Sequence, residues 1–421
     1  MGILPRFADE WVLKRILGAT GQAPIRLVVR GGADVSPRGI SPVATVVLED
    51  HNALAGLLRD PEVSFGDAYM DGKIEVEGDF VRFLEEVYRA MENAPDAGKW
   101  YSRLASKWLD VWQDNSLSGS RKNIYRHYDL GNDFYKLWLD DQLLYTCAYF
   151  PTPSSTLEDA QVAKMDHVCR KLRLQPGETV VEAGCGWGAL ALHMAREYGV
   201  SVKAYNVSHE QIAFARERAR AEGMSDRVEY IEDDYRAITG RFDAFVSVGM
   251  LEHVGLDHYQ ELSEIIHRSI GENGRGLLHF IGRNNPAVFS RWIRKQIFPG
   301  AHTPSLRAAL KILEPKDFAV LDVENLRMHY AKTLEHWLER FENSRQQVAA
   351  MYDSRFVRAW RLYLAGSLAA FRVGHLQLFQ ILFTGCERQP LFWTRDPLYA
   401  ADTKPVAEKV HEKVKWTHAM S

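Results

Sequence analysis

From Glu178 onward, short apolar runs alternate with stretches whose apolar residues recur at helical spacing. The runs are ETVVEAG, VSVKAYNV, RVEYIEDD, FDAFVSVG and RGLLHFIG, and helical patterns separate most of them. Strands that alternate with helices are typical of a parallel sheet covered by helices on both faces. The pattern therefore predicts an α/β fold with a doubly wound, Rossmann-like sheet.

The chain before this region has a different pattern. Two β-like runs, IRLVV and ATVVLE, accompany two helical segments, HNALAGLLRD and DFVRFLEEVYRAME. They predict a small α+β domain over residues 1–95, followed by a polar linker over 96–122. The main α/β domain is predicted over residues 123–395 and a solvated tail over 396–421.

The composition is that of an ordinary globular protein. Of its 421 residues, 46% are hydrophobic and 25% charged, and the net charge of -3 gives no general attraction to nucleic acid. The four cysteines form no C-x-x-C pair, so we expect reduced thiols and no metal site. Neither a signal peptide nor an apolar run of roughly 20 residues is evident, which favours a cytoplasmic protein.

The first strand of the α/β region leads into a glycine-rich turn, VVEAGCGWGALALHMA. Gly184, Gly186 and Gly188 give the spacing G-x-G-x-G, not the G-x-G-x-x-G of dinucleotide-binding turns, and no phosphate-loop lysine follows. Such a turn serves either as a tight strand-to-helix connection or as a place where backbone approaches a ligand. Glu182 just before the turn would repel a pyrophosphate, so we expect a ligand that carries an ammonium group.

Ligands of open parallel sheets lie beyond the carboxyl ends of the strands, where this chain places several polar residues. The glycine turn resembles the first motif of the S-adenosylmethionine-dependent methyltransferases. On that resemblance, Asn206 and Gln211 after the second strand could contact a ribose or methionine group. Asp234 and Tyr235 follow the third and suit an adenine amino group and ring, although an acid in that position more often caps a turn.

Two ionisable residues follow the central strands in apolar surroundings. Glu252 and His279 are the best catalytic candidates on this ground, and the alternatives are a helix-capping glutamate and a satisfied core histidine. The spacing of Glu252, His253 and His258 does not match H-E-x-x-H, so a metal site is not predicted.

A basic segment without acidic residues, GRNNPAVFSRWIRKQIFPGAHTPSLRAALK, covers residues 282–311. Cations interleaved with Trp292, Ile293, Ile297 and Phe298 suit the surface of an anionic bilayer. We expect a lipid-facing insertion here, with a solvated surface helix as the alternative.

Several motifs in a fixed order resemble the cyclopropane-fatty-acyl-phospholipid synthase family, relatives of the mycolic acid cyclopropane synthases. They are HYDLGNDFY, LLYTCAYF, GCGWG, SVGMLEHVG, LLHFIG, IFPG and YAKTLEHW, between Arg121 and Phe383. GDAYMDG, at Gly66–Gly72, resembles the N-terminal domain of the phospholipid-acting members. The resemblance implies a class I methyltransferase fold and transfer of a carbon from S-adenosylmethionine to the cis double bond of an unsaturated phospholipid.

The resemblance also implies roles for individual residues. Those matching the family's contacts with S-adenosylmethionine are Tyr145, Thr146, Glu182, Gly184, Gly186, Asn206, Val207, Gln211, Asp234 and Tyr235. Those matching the family's bicarbonate site are Cys147, Glu252, His279, Ile281 through its backbone N–H, and Tyr330. Tyr128 matches an active-site tyrosine near the transferred methyl group. Peripheral association with the membrane and a homodimer are implied, and nucleic acid is not.

Related chemistries remain open at this point. Members with the same motifs make cyclopropane rings, methyl- or methylene-branched chains or hydroxylated chains, and some methylate small amines at the same glutamate and histidine positions. The N-terminal domain and the basic segment favour a lipid over an amine. A degenerate methyltransferase domain that only binds lipid is the alternative from a different class of protein.

Overall fold

The structure is a computed structural model that describes residues 3–93, 130–287, 289–388 and 391–399. The strands among them are β1 Ile25–Val29, β2 Asp34–Val35, β3 Ala44–Leu48, β4 Ile74–Gly78, β5 Thr179–Ala183, β6 Ser201–Asn206, β7 Val228–Glu232, β8 Ala244–Val248, β9 Arg275–Gly282, β10 Ala319–Asn325 and β11 Gln377–Thr384. The α-helices are α1 Ile3–Ala19, α2 His51–Arg59, α3 Pro61–Met70, α4 Phe80–Asn93, α5 Asn132–Lys136, α6 Leu157–Leu172, α7 Ala189–Tyr198, α8 His209–Ala221, α9 Leu251–Val254, α10 Tyr259–Ile270, α11 Arg291–Gln296, α12 Leu306–Leu310, α13 Arg327–Asn343, α14 Arg345–Met351, α15 Ser354–Val373 and α16 Asp396–Tyr399. The predicted linker, Tyr128 and nearly all of the predicted tail lie outside the described residues.

Contacts divide the chain into two units. The first comprises the described residues within Met1–Gln113, Ala287–Pro299 and Leu334–Leu376, and the second those within Asp114–Pro286, Gly300–Thr333 and Gln377–Ser421. This division differs from the consecutive domains that the sequence predicted, because two later segments belong with the N-terminal residues. The boundary inside α13 falls between Thr333 and Leu334.

The first unit contains a four-stranded sheet in the order β2-β1-β3-β4. β1 and β3 run parallel, and β2 and β4 are antiparallel to their neighbours. Helix α15 packs on α3 and α4. The Arg361 guanidinium lies 4.6 Å from the centre of the Phe80 ring, and the Arg358 guanidinium lies 4.2 Å from the centre of the Tyr69 ring. These contacts explain why a late helix belongs to this unit.

The basic segment is divided between the units, and its middle part packs within the first one. Arg291 pairs with Asp60, and Lys295 Nζ lies 2.7 Å from an Asp67 carboxylate oxygen on α3. Trp292 is buried against Gly66, where a Cβ would lie 2.2 Å from the indole ring. Acidic residues at the start of α3 and within it therefore pair with two cations of α11, and the lipid-facing role predicted for residues 282–311 stays a prediction.

The second unit is built on a sheet in the order β10-β11-β9-β8-β5-β6-β7. Strands β5–β9 pair in parallel, whereas β11 is antiparallel to both β9 and β10. Apolar clusters cover both faces of this sheet, as the predicted doubly wound fold requires. All five predicted strands are confirmed, but β10 and β11 were not predicted.

None of the helices in the described part of the chain combines the length and apolar character needed to span a bilayer.

Candidate active site

One cavity in the second unit lies beyond the carboxyl ends of β5, β6 and β7. All ten residues predicted to contact S-adenosylmethionine line it, namely Tyr145, Thr146, Glu182, Gly184, Gly186, Asn206, Val207, Gln211, Asp234 and Tyr235. They come from four separate parts of the chain, and parallel strand order brings the three that follow strands to one edge of the sheet. The structure thus gathers the predicted set into a single ligand-sized site.

The glycine turn takes a backbone path that other residues rarely adopt. Gly184 and Gly188 have φ of 87° and 83°, and Gly188 is the N-cap of α7. A Cβ on Gly188 would lie 2.5 Å from the Tyr230 hydroxyl oxygen, which donates a hydrogen bond to the Gly188 carbonyl at 2.6 Å. Glycine is therefore required both for the dihedral angle and for the close approach of Tyr230.

Glu182 brings an acidic group to the wall of this cavity. The residue is only 2% exposed, and its Oε2 has no hydrogen-bond partner among the described residues. Burial raises the pKa of Glu182 to about 8, although the nearby charge of Lys164 opposes the rise. A carboxylate in this setting is stabilised by a cationic ligand, as the sequence predicted for an ammonium group.

At the third strand, Asp234 fulfils the predicted alternative role of a turn cap. Its Oδ1 accepts a hydrogen bond from the Arg236 backbone N–H at 3.0 Å and lies 3.2 Å from the Arg236 guanidinium. The same guanidinium lies 4.9 Å from the centre of the Tyr235 ring. Arg236 was not predicted as a site residue, and it fixes both groups proposed to hold adenine.

After the second strand, the side chains of Asn206 and Gln211 are hydrogen-bonded to each other. Asn206 Nδ2 donates to Gln211 Oε1 at 2.7 Å. Helix α8 begins at His209, and the Ser208 hydroxyl accepts from the Gln211 backbone N–H to cap it. The pair therefore lines the cavity as one unit held by the helix N-terminus.

Glu252 lies next to β9 in the same sheet region. The Ile281 backbone N–H donates to Glu252 Oε1 at 2.6 Å, while Oε2 has no partner among the described residues. Burial raises the pKa of Glu252 to about 7. The Ile281 amide was predicted to face an anion, and the structure instead shows it bound to Glu252, because the carboxylate reaches the strand directly.

His279 precedes Ile281 by two residues on β9, so the two residues share a face of the strand. Burial lowers the pKa of His279 to about 3, which keeps the imidazole neutral at physiological pH. Gln380 on β11 pairs in register with His279, and its Nε2 lies 3.0 Å from His279 Nδ1. His279 Nε2 is buried and has no partner among the described residues.

Gln380 is a functional candidate that sequence reasoning missed. An amide N–H₂ can only donate, so Nδ1 of His279 accepts and the ring proton resides on Nε2. Gln380 is fully buried and stands between Phe379 and Ile381 in the apolar middle of the strand QLFQILFT. A buried polar residue in such a strand was the available signal, but its partner lies 101 residues away.

The remaining bicarbonate-site candidates converge on the start of α13. The Ala148 backbone N–H, next to buried Cys147, donates to Thr333 Oγ1 at 3.0 Å. Tyr330 lies one turn before Thr333 on α13 and is buried. Burial raises the pKa of the Cys147 thiol, and its Sγ donates to the Ala148 carbonyl at 3.1 Å, so it is not a reactive thiolate.

Groups of His, Cys, Asp and Glu suited to hold a metal ion do not occur in the part of the chain that the structure describes.

Comparisons with known proteins agree with this geometry. The model of a family described as mycolic acid cyclopropane synthetase matches residues 115–381, and a domain of unknown function matches residues 21–97. A probable fatty acid methyltransferase from Pseudomonas putida is 37% identical over 89% of this chain and 96% of its own length. The cyclopropane-fatty-acyl-phospholipid synthase of Escherichia coli (strain K12) is 36% identical over 84% and 90%.

A solved structure has the same fold in the second part of the chain. Mycolic acid cyclopropane synthase CmaA1, in complex with SAH and CTAB, is 30% identical, with a TM-score of 0.60 over 62% of this chain and 97% of that one. The predicted fold class is confirmed by this likeness and by the sheet order. The chain belongs to the mycolic acid cyclopropane synthetase family, whose members are S-adenosylmethionine-dependent methyltransferases.

Proposed function

We propose that this protein transfers the methyl carbon of S-adenosylmethionine to the cis double bond of an unsaturated phospholipid acyl chain and closes a cyclopropane ring there. The observation that carries the proposal is a pair of buried polar atoms, Glu252 Oε2 and His279 Nε2, without partners among the described residues. Leaving such atoms unpaired costs stability, so their presence favours a small ligand that both accepts and donates hydrogen bonds.

The hydrogen-bonding roles of these two atoms suit bicarbonate. The His279 Nε2–H is a donor because Gln380 occupies Nδ1, and Glu252 Oε2 is an acceptor because Ile281 occupies only Oε1. An oxyanion with one hydroxyl group satisfies both. Bound there, bicarbonate supplies a negative charge near a developing cation and a base for one proton. Tyr330 and the Cys147–Ala148 backbone are the further groups expected around it.

The residues of the cofactor cavity hold the methyl donor in reach of the alkene. A cis alkene is a weak nucleophile, so alignment of the sulfonium methyl group in a dry site provides much of the rate. The S–CH₃ bond breaks as a C–C bond forms, which leaves a cation on the acyl chain. Loss of a proton from the added methyl group then lets its C–H electron pair close the ring.

The proposed substrate rests on the relatives and on the N-terminal part of the chain. The Escherichia coli relative, which this chain covers to 90%, is named for phospholipid-bound acyl chains. The Pseudomonas putida relative is named as a fatty acid methyltransferase, so a methyl- or methylene-branched product is the second candidate. The ring forms when the added methyl group loses a proton and its C–H electron pair closes on the cation. A methylene branch forms when a hydride first shifts from the methyl-bearing carbon to the cation and the methyl group then loses its proton, whereas a saturated methyl branch also takes up a hydride from a separate reductant.

The test is to incubate purified protein with S-adenosylmethionine and liposomes of a monounsaturated phospholipid, followed by mass spectrometry and proton NMR of the acyl esters. We expect a gain of one CH₂ and upfield ring protons. Vinylidene proton signals with the same mass gain would show that the product carries a methylene branch in place of the ring. The absence of any lipid product across lipid compositions would refute the proposal and direct the search to soluble amine acceptors.

The base is tested separately in carbon dioxide-free buffer. We expect turnover to fall on depletion and to return when bicarbonate is added, with binding of the methyl donor unchanged. If turnover did not depend on bicarbonate, bicarbonate would not be the base, although the methyl-transfer step could still proceed as proposed.

A further inference from the structure

Helix α6 places two buried polar side chains against the segment that carries Tyr145 and Thr146. Gln161 Nε2 donates to the carbonyls of Leu144 and Thr146 at 3.1 and 3.0 Å. One turn later, Lys164 Nζ donates to Thr146 Oγ1 at 3.0 Å. Gln161 and Lys164 are 0% and 1% exposed. The wall of the cofactor cavity is thus held from behind by α6.

The Lys164 ammonium is poorly compensated for a buried cation. No carboxylate of the described residues lies within ion-pair distance of it, although Asp140 and Glu182 act on it from farther away. Its single hydrogen bond to Thr146 uses one of three N–H donors. Burying a charge without a partner is costly, and a site that tolerates this cost is suited to receive an anion.

The hydrogen bond between Lys164 and Thr146 has a fixed direction. An ammonium group only donates, so Thr146 Oγ1 accepts and its own hydroxyl hydrogen is left to donate elsewhere. Thr146 lines the cavity, as do Lys164 and Glu182. The hydroxyl therefore presents a donor to the cavity with a positive charge directly behind it.

The amino-acid end of S-adenosylmethionine carries both an ammonium and a carboxylate group. The cavity contains one acidic group with a free oxygen, Glu182, and its cationic side chain is Lys164, since burial lowers the pKa of His253 to about 4 and keeps that imidazole neutral. We propose that Lys164 is a positioning residue that, through the Thr146 hydroxyl, recognises the carboxylate of the methyl donor while Glu182 receives the ammonium group. This inference rests on the proposed placement of the methyl donor in the cavity.

The test compares two ligands that differ only in the carboxylate, namely S-adenosylmethionine and its decarboxylated form. Calorimetry on wild-type protein and on Lys164→Met, which keeps side-chain length and removes the charge, measures both affinities. We expect Lys164→Met to weaken S-adenosylmethionine binding by roughly 10- to 100-fold, as for loss of a charge-assisted hydrogen bond, and to leave binding of the decarboxylated ligand within about twofold.

A second variant keeps the lysine charge beside Glu182. Thr146→Val removes only the hydroxyl, and we expect the same selective loss, with Thr146→Ser restoring the wild-type preference. Glu182→Gln should weaken both ligands, because both carry the ammonium group. The Thr146 and Glu182 variants remain informative if Lys164→Met does not fold.

The outcomes separate the inference from the function on which it rests. Equal losses for both ligands would assign α6 a structural role only, and no loss for either would leave Lys164 without a role in binding; each result overturns the inference. Wild-type protein that binds neither ligand would overturn the proposed placement of the methyl donor itself.

Discussion

The cofactor cavity and the Glu252–His279 pair lie along the same edge of one sheet, yet they offer different sets of ionisable groups. The cavity contains a carboxyl and an amine, Glu182 and Lys164, which match the ammonium and carboxylate groups proposed for its ligand, and a bound ammonium group would lower the raised pKa of Glu182. The second site holds an imidazole that burial keeps neutral and a carboxyl whose pKa is raised to about 7. Under the proposed function, the first site binds a ligand whose two charged groups it matches, and the second binds an anion from solution.

The largest effect is expected from removing the second site. Glu252→Gln and His279→Ala should each lower turnover by roughly 100- to 10,000-fold, the range typical of losing a general base, because each change removes a group proposed to hold the bicarbonate. Affinity for S-adenosylhomocysteine should stay within about twofold, because neither residue belongs to the charged cavity. Single-turnover kinetics and calorimetry measure the two quantities.

The matched control is Glu264→Gln, the same change at an exposed position of α10. It should leave both quantities unchanged. If Glu252→Gln or His279→Ala lowered cofactor affinity as much as turnover, these residues would belong to the cofactor site, and the distinction between the two sites would be wrong.

The next effect concerns stability and pH. The folded-state pKa of Glu252 is raised from its usual 4.5 to about 7, so the folded protein holds this proton more tightly than the unfolded chain does. Its contribution to stability is therefore fully present below pH 4.5 and is lost as the pH rises through about 7. At 1.36 kcal/mol per unit of pKa, the loss amounts to about 3 kcal/mol.

Glu252→Gln cannot ionise, so it should become more stable than wild type as the pH rises from 5 to 8 in bicarbonate-free buffer. Urea unfolding at both pH values gives the difference, and the Glu264→Gln control should show none. A difference that does not change with pH would mean that Glu252 ionises freely in the folded protein.

A smaller effect is expected from Gln380→Leu. Leucine is similar in volume and suits the apolar strand, but it leaves His279 Nδ1 without a donor and the ring free to adopt either tautomer. We expect turnover to fall by about tenfold, since the loss is of one positioning hydrogen bond. Nitrogen-15 NMR of His279 should show the proton on Nε2 in wild type and both tautomers in the variant. An unchanged tautomer would assign Gln380 to packing alone.

The sequence predicted the cofactor cavity better than the second site for a physical reason. Gly184, Gly186 and Glu182 are neighbours in the chain, and the turn that they form depends on local backbone geometry. Asp234 is likewise set by its own strand end. Such features can be recognised in a short stretch of sequence, and in the structure all of these residues line the same cavity.

Long-range pairing determines what the sequence did not show. Gln380 meets His279 only because β11 pairs antiparallel with β9, and neither β10 nor β11 was predicted. The same limit applies to the basic segment, where the Arg291 and Lys295 side chains of α11 find acidic partners more than 220 residues earlier in the chain. The positive charge of this segment suggested contact with an anionic membrane surface, but the sequence could not show that acidic residues of the same chain lie next to it.

The smallest effect tests the adenine end of the cofactor cavity, where recognition should not depend on the amino-acid charges. Arg236→Met removes the guanidinium that lies 4.9 Å from the Tyr235 ring centre and beside Asp234. Since a cation–π contact of this kind contributes about 0.5–1 kcal/mol, we expect affinity to fall by about two- to fivefold. The fall should be equal for S-adenosylhomocysteine and for 5′-methylthioadenosine, which lacks the amino acid. A loss confined to S-adenosylhomocysteine would mean that Arg236, like Lys164, acts on the carboxylate of the ligand. It would contradict the view that Glu182 and Lys164 recognise the amino acid while Asp234 and Tyr235 recognise the adenine.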